Sequence, residues 1–267
     1  PKDHVAKKNL GGRDVIYGQE ALENRLSLNI IRPLEGGSIK VPGAKDSEEA
    51  RKAVRLLLER VLQVVNIPKT HTIYAVIGAP AQASTEGKAS IIESIAHKVD
   101  SVIVCSEPFA VAYGLDFLRD TLVIDIGAGT TDLCRVHGTM PGADDQVTHY
   151  VAGDAIDKTL LNMIKEKHPA AQVTINQVRE FKEKYASVSP KMEDAIVTMR
   201  VEGKPQKFDI TELVYKACYT IVPPTVAALQ KLIATYDPEF QAKMLMNILI
   251  GGGGSQIRGL DLAIEKA

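Results

Sequence analysis

Thr121-Leu-Val-Ile-Asp125-Ile-Gly127-Ala-Gly129-Thr-Thr131-Asp132-Leu-Cys-Arg-Val-His-Gly138 is the stretch whose reading decides the fold. An apolar run carries one carboxylate, Asp125, onto a Gly-Ala-Gly-Thr-Thr turn, and a second short apolar run leaves it. Gly138 follows Thr130 too closely for a core helix to fit between them, so the pattern predicts strand–turn–strand. That excludes the dinucleotide fingerprint, whose Gly-rich turn must open a helix. A glycine-tipped hairpin bares backbone N–H groups that can cradle phosphate oxygens. The acid beside them would repel a phosphate, which points to a metal ion between the two. The plainer alternative is a tight turn with an exposed Asp.

Outward from the hairpin, strands and helices alternate, which sets the class as α/β. Ser47 is placed as an N-cap, with an amphipathic helix running to about Asn66. Ile73–Ile77 and Ser101–Cys105 read as strands, and Ser84 and Pro108 each mark a helix start. Asp154 is expected to cap a helix ending at His168-Pro169, and a further helix covers about Asn176–Ala186. Glu202-Gly-Lys-Pro205 marks a second hairpin between Ala195–Val201 and Gln206–Ile210. Thr211 opens a helix broken at Pro223-Pro224, Met246–Ile250 is a buried strand, and Ser255 opens a last helix. Residues 1–45 show little regular period.

The chain has 267 residues, is 45% hydrophobic and 24% charged, and carries a net charge of −1, values of an ordinary globular protein. Nothing in that balance favours nucleic acid or an acidic membrane surface. Apolar stretches such as Met244–Ile250 are too short to span a bilayer. Cys105, Cys134 and Cys218 lie far apart in apolar runs, so free buried thiols and a cytoplasmic setting are expected. The chain opens at Pro1 and stops at Ala267 in mid-pattern, which leads us to expect a fragment. The histidines have no metal-ligand spacing, and no Walker sequence occurs.

Three further features carry chemistry. Ile250-Gly-Gly-Gly-Gly254-Ser255 takes a buried strand through glycines to a helix, where a ligand can approach backbone closely; a sharp turn is the plain alternative. Glu107 lies between a strand end and a helix start, where the helix dipole is expected to keep it ionised and able to orient or deprotonate a water. Phe181-Lys-Glu-Lys-Tyr185 is a charged run inside a helix, by default a solvated face.

Together, and in this order, these pieces resemble the actin/Hsp70/sugar-kinase ATPase superfamily, with its actin-like (ribonuclease H-like) two-lobed fold. Asp125–Thr131 resembles the second phosphate loop, Gly153-Asp154-Ala-Ile-Asp157 the connecting segment, and Gly252–Ser255 the adenosine motif. Arg32-Pro-Leu-Glu-Gly-Gly-Ser-Ile39 and Gly252-Gly-Gly-Ser-Gln-Ile-Arg-Gly-Leu260 narrow the likeness to bacterial actins of the MreB type. The wording of Ser106–Asp116, Asp125–Asp132 and Pro141–Val147 is most similar to the branch whose filaments align magnetosomes.

That resemblance implies ATP/ADP and Mg²⁺ as cofactors, ATP hydrolysis, self-assembly into cytoplasmic filaments, and cargo adaptors as further partners. It implies Glu107 and Asp125 as catalytic residues, with Asp125 holding Mg²⁺ through water. Gly127, Ala128, Gly129, Thr130 and Thr131 would take the phosphates. Gly153, Asp154, Lys182, Glu183, Gly252, Gly253, Gly254 and Ser255 would take the nucleoside.

The implied domains are a first lobe over 1–119 (small subdomain 1–45, large subdomain 46–119) and a second over 120–252 (small subdomain 171–209). Residues 253–267 would begin a C-terminal helix. The family's first phosphate loop and its C-terminal segment are absent from the sequence, so an incomplete first lobe and weak hydrolysis by this chain alone are expected. A monomeric Hsp70-type ATPase is the alternative, against which stands the short insert between the Asp154 and Thr211 helices. A non-hydrolysing structural or adaptor relative is another, against which stand Glu107 and Asp125. A sugar kinase would need a substrate-binding Asp in the first lobe, for which there is no candidate.

Overall fold

A computed structural model describes residues 1–35, 38–39, 47–68 and 70–267. The chain divides into two compact units, one of residues 1–77 and 84–104, the other of 78–83 and 105–267.

The first unit begins with two short helices, α1 (His4–Asn9) and α2 (Gly18–Glu23), in the stretch where no period was expected. Asp3 caps α1 through its side chain, which the sequence shows only as a lone acid. A small ladder of β1 (Leu34–Glu35) and β2 (Ser38–Ile39) follows, then α3 (Ser47–Val65). On its expected apolar face Ala50 and Val54 are buried, whereas Leu57, Val61 and Val65 are exposed. The proposed Ser47 cap rests on a side chain outside the described residues, as does the Gly-Gly at 36–37. Strands β3 (Tyr74–Ala79) and β4 (Ser101–Ser106) pair as a two-stranded sheet. Between them runs α4 (Thr85–Ile95), capped by the Ser84 hydroxyl on the Gly87 N–H.

The second unit holds the main core. Helix α5 (Glu107–Gly114) takes Pro108 into its first turn as expected. The strands β5 (Thr121–Ile126) and β6 (Thr131–Val136) form the expected hairpin, and β7 (Gln146–His149) pairs with β6. Helices α6 (Gly153–Lys167) and α7 (Ile175–Tyr185) lead to a second hairpin of β8 (Ile196–Val201) and β9 (Lys204–Asp209). Helices α8 (Thr211–Tyr219), α9 (Val222–Ile233) and α10 (Pro238–Leu245) follow, then β10 (Ile248–Gly251) and α11 (Leu260–Lys266). Pro223 and Pro224 sit in the first turn of α9, so they start a helix whose predecessor has already ended.

The central sheet runs β10-β5-β6-β7, with β10 parallel to β5 and the rest antiparallel. Strand periodicity gives it two faces. Leu122, Ile124, Ile126 and Leu133 join Ile156, Leu160 and Ile164 of α6 and Ala217 of α8 in the larger core. Val123, Cys134 and Val136 form the other face with Ala112 of α5. Both faces of β5 and β6 are therefore covered, which is why these strands read as apolar runs and not as alternation. Among the described residues, no helix is long and apolar enough to cross a membrane.

Two local expectations fail. Asp154 does not cap α6: Ala152 holds that position, and Asp154 lies inside the first turn. Ser255 does not open the last helix: Gly253–Gln256 is a single 3₁₀ turn, and α11 starts only after Gly259, which takes a left-handed conformation. The run of glycines supplies the flexibility for the tight turn but no helix propensity to continue it.

Candidate functional site

The alternation that buries Val123 and Cys134 on the α5 face puts Asp125 and Asp132 on that face too. They are register partners across the hairpin, two carboxylates directly opposed, an arrangement that costs stability. Asp132 is fully buried, and its Oδ1 accepts from the Ala81 N–H at 2.7 Å and the Thr148 hydroxyl at 2.6 Å. Its Oδ2 is buried with no partner. The Asp125 carboxylate has no hydrogen-bond or ion-pair partner among the described residues, and burial followed by the charge on Asp132 raises its pKa.

Glu107, the first residue of α5, belongs to the same layer. A Cβ on Gly78 would stand 3.1 Å from its Cγ, so the glycine leaves this side chain its space. The helix start is opposed by the surroundings of Glu107 in keeping it ionised. Burial first, and then the charges on Asp132 and Asp125, push its pKa up to about 7. Desolvation and two neighbouring acids outweigh a short helix's dipole, which is worth at most about 2 kcal/mol.

The turn between β5 and β6 is held from outside the hairpin. The Gly127 N–H donates to the Thr130 carbonyl at 2.9 Å. The Gly127 and Ala128 carbonyls accept from the Gly153 and Asp154 N–H groups at 3.1 and 2.7 Å. A Cβ on Gly153 would meet the Ala128 Cα and Gly127 oxygen at 3.3 Å, so the start of α6 closes on the turn only because residue 153 is small. The N–H groups of Ala128, Gly129 and Thr130 donate to no acceptor among the described residues. These are the donors a phosphate would need. Thr131 is fully buried and its hydroxyl donates to the Val151 carbonyl, which makes it a support of the turn.

The second glycine loop lies against the same strand end, since parallel register sets Gly251 beside Asp125. A Cβ at Gly252, whose φ is +73°, would fall 2.4 Å from the Ile126 oxygen and 2.5 Å from Asp125 Oδ1. A Cβ at Gly254 would fall 2.1 Å from Ile126 Cγ2. No side chain fits at either position, whereas Gly253 has open space. The Ser255 hydroxyl donates to the Gly252 carbonyl at 2.7 Å.

Lys182 reaches this cluster from α7. Its Nζ donates to the Gly153 carbonyl at 3.0 Å and pairs with Asp157 Oδ1 at 2.7 Å. Arg179 spans the two aspartates of α6, with Nε on Asp157 Oδ2 at 2.9 Å and Nη2 on Asp154 Oδ1 at 2.6 Å. Glu183 is exposed beside them.

Mg²⁺ is commonly held by one or two carboxylates, waters and substrate phosphates. An unpartnered Asp125 facing a second acid, beside free N–H donors, fits such an ion. Among the described residues no group of three or more His, Cys, Asp or Glu is arranged to hold a metal unaided, so waters and phosphates would supply the remaining ligands.

Sequence reasoning singled out neither Asp132 nor Arg179, and treated Asp157 only as the end of a motif. The signal for Asp132 was present: it lies as far after the turn as Asp125 lies before it. Arg179 and Asp157 had no local signal, because their pairing joins two helices.

A family model described as MreB/Mbl protein matches residues 12–267. The actin-like protein MamK of Paramagnetospirillum magneticum is 42% identical over 266 residues, covering 100% of this chain and 75% of its own length. The solved MamK double helical filament superposes with a TM-score of 0.92 at 40% identity, over 100% of this chain and 80% of that one. A non-polymerising MamK mutant bound to AMPPNP gives a TM-score of 0.71 at 39% identity, with the same coverage. The turn, the carboxylate pair and the glycine loop are thus features of an actin-like protein, and the chain belongs to the MreB/Mbl family.

Proposed function

We propose that this protein binds and hydrolyses ATP with Mg²⁺ and assembles into filaments under the control of the bound nucleotide, positioning magnetosomes or similar cargo in the cytoplasm. The observation that carries the reading is the turn at Gly127–Thr130. Three unused backbone donors sit beside an unpartnered carboxylate, at the point where Gly252 and Gly254 press on the same strand end. The relatives add support, since one MamK structure is a filament and another holds AMPPNP.

In this reading Ala128, Gly129 and Thr130 donate to the β- and γ-phosphates. Lys182 and Glu183 hold the ribose, and the loop over Gly252–Ser255 flanks the adenine. Bound Mg²⁺ would supply charge neutralisation on the phosphates through Asp125. Glu107 accepts a proton from the attacking water. A carboxylate held near neutrality is a stronger base than an ordinary Glu, and its tuning lies close to working pH.

The test is ATP titration, phosphate release and sedimentation of the protein with Mg²⁺. Binding, turnover and ATP-dependent pelleting are expected. Glu107→Ala should leave ATP affinity within about threefold and lower turnover by about 10²-fold or more. Absence of ATP binding would refute the reading, persistent monomers would refute the filament, and unchanged phosphate release in the variant would remove Glu107 from catalysis.

A further inference from the structure

The proposed mechanism gives Lys182 a ribose contact but no role to the charged row that holds it between α6 and α7. Four side chains alternate in sign: Asp154, Arg179, Asp157 and Lys182. Asp157 is the keystone, since its side chain is 1% exposed and each oxygen faces a different cation, Arg179 Nε at 2.9 Å and Lys182 Nζ at 2.7 Å. A carboxylate buried this deeply persists only when its charge is matched. The row joins the phosphate turn through the backbone, because the Gly153 and Asp154 N–H groups hold the Gly127 and Ala128 carbonyls.

This wiring limits what Lys182 can offer a ligand. An ammonium has three donors. One is spent on the Gly153 carbonyl at 3.0 Å, while the charge faces Asp157 Oδ1 at 2.7 Å. Its charge is cancelled by a buried carboxylate, and the row of four side chains is neutral in sum. A cation neutralised in this way is a weak phosphate ligand but still a directed hydrogen-bond donor, suited to an uncharged hydroxyl.

We infer that Asp157 is a positioning residue that sets the ligand preference of Lys182. By neutralising and aiming the ammonium it makes Lys182 a reader of a ribose hydroxyl, and it keeps the triphosphate on the Gly127–Thr130 turn. This inference rests on the proposed nucleotide function and names the residue that divides the site into a sugar end and a phosphate end.

The experiment compares affinities of the full chain for ATP, 2′-deoxy-ATP and 3′-deoxy-ATP, with thermal melting to establish that each variant is folded. The wild type should favour ATP over at least one deoxy analogue by about tenfold, as expected when one hydroxyl contact is lost. Asp157→Asn should bring that ratio to within about twofold of unity, because Lys182 loses the carboxylate that neutralises and aims it. Should Asp157→Asn fail to fold, the double variant Asp157→Asn/Arg179→Gln removes the buried acid together with one of its two cations, keeps Lys182, and should lose the same discrimination. A wild-type ratio in either folded variant would overturn the inference alone. Absence of ATP binding by the wild type would overturn both it and the functional reading beneath it.

Discussion

The second unit contains two hairpins of the same size, β5–β6 and β8–β9, each with six register pairs, and they are built to opposite purposes. In β8–β9 no two like charges face each other, and Val197 pairs with Phe208. Its two-residue tip, Glu202-Gly203, has φ of 50° and 80°, the primed turn that matches strand twist. In β5–β6 two carboxylates face each other within the ladder, and the four-residue tip leaves three donors unused. The regular hairpin closes its own tip, where the Arg200 guanidinium donates to the Gly203 carbonyl at 2.7 Å. The other is left unsatisfied at its tip and is braced from outside by α6 and by the loop at Gly252–Gly254. Stability given up at one place in a fold marks where a ligand is to supply it.

The contrast can be broken hardest at the brace. Gly252→Ala places a methyl against backbone at a left-handed residue, so nothing can yield cheaply. We expect a loss of more than about 3 kcal/mol and a fall in melting temperature on the order of 10 °C. Loss of ATP binding should accompany it. A variant that melts like the wild type would show that the loop does not brace the hairpin.

The carboxylate cluster offers a smaller effect of opposite sign. Glu107 has a folded pKa near 7, above its ordinary 4.5, so its ionisation opposes folding as pH rises through that window. Glu107→Gln removes the charge and should stabilise the nucleotide-free protein at pH 8 by about 1–2 kcal/mol after solvent screening, with the gain vanishing near pH 4. Thermal melts of both proteins across pH 4–8 would measure it. A stabilisation that does not change with pH would rule out charge repulsion as its source.

The smallest effect is at the regular tip. Gly203→Ala meets nothing within 4 Å, and only its φ of +80° is strained. The cost should be about 1 kcal/mol, with nucleotide affinity unchanged. An affinity change there would mean that the two hairpins are coupled.

Features set by neighbours in sequence were legible without coordinates. The β5–β6 hairpin, its glycine turn, the Ser84 cap and Pro108 in the first turn of α5 depend on local sterics and on hydrogen bonds spanning a few residues. The same locality misled at Asp154, a good capping residue that lies inside the helix because the turn at Gly127–Ala128 fixes where α6 begins. It misled again at Ser255, where the start of α11 is set by left-handed Gly259.

By itself, then, the sequence determined a glycine-tipped hairpin carrying an acid, a second glycine loop and an acid at a helix start. Only the tertiary structure decided their charge states and partners. Asp132 faces Asp125 because of ladder register, and Glu107 is pushed toward neutrality because chain segments distant in sequence bury it beside both. Lys182 is neutralised by Asp157 from another helix. Local geometry follows from adjacent residues, whereas desolvation and Coulomb energy depend on everything within several ångströms, wherever it lies along the chain.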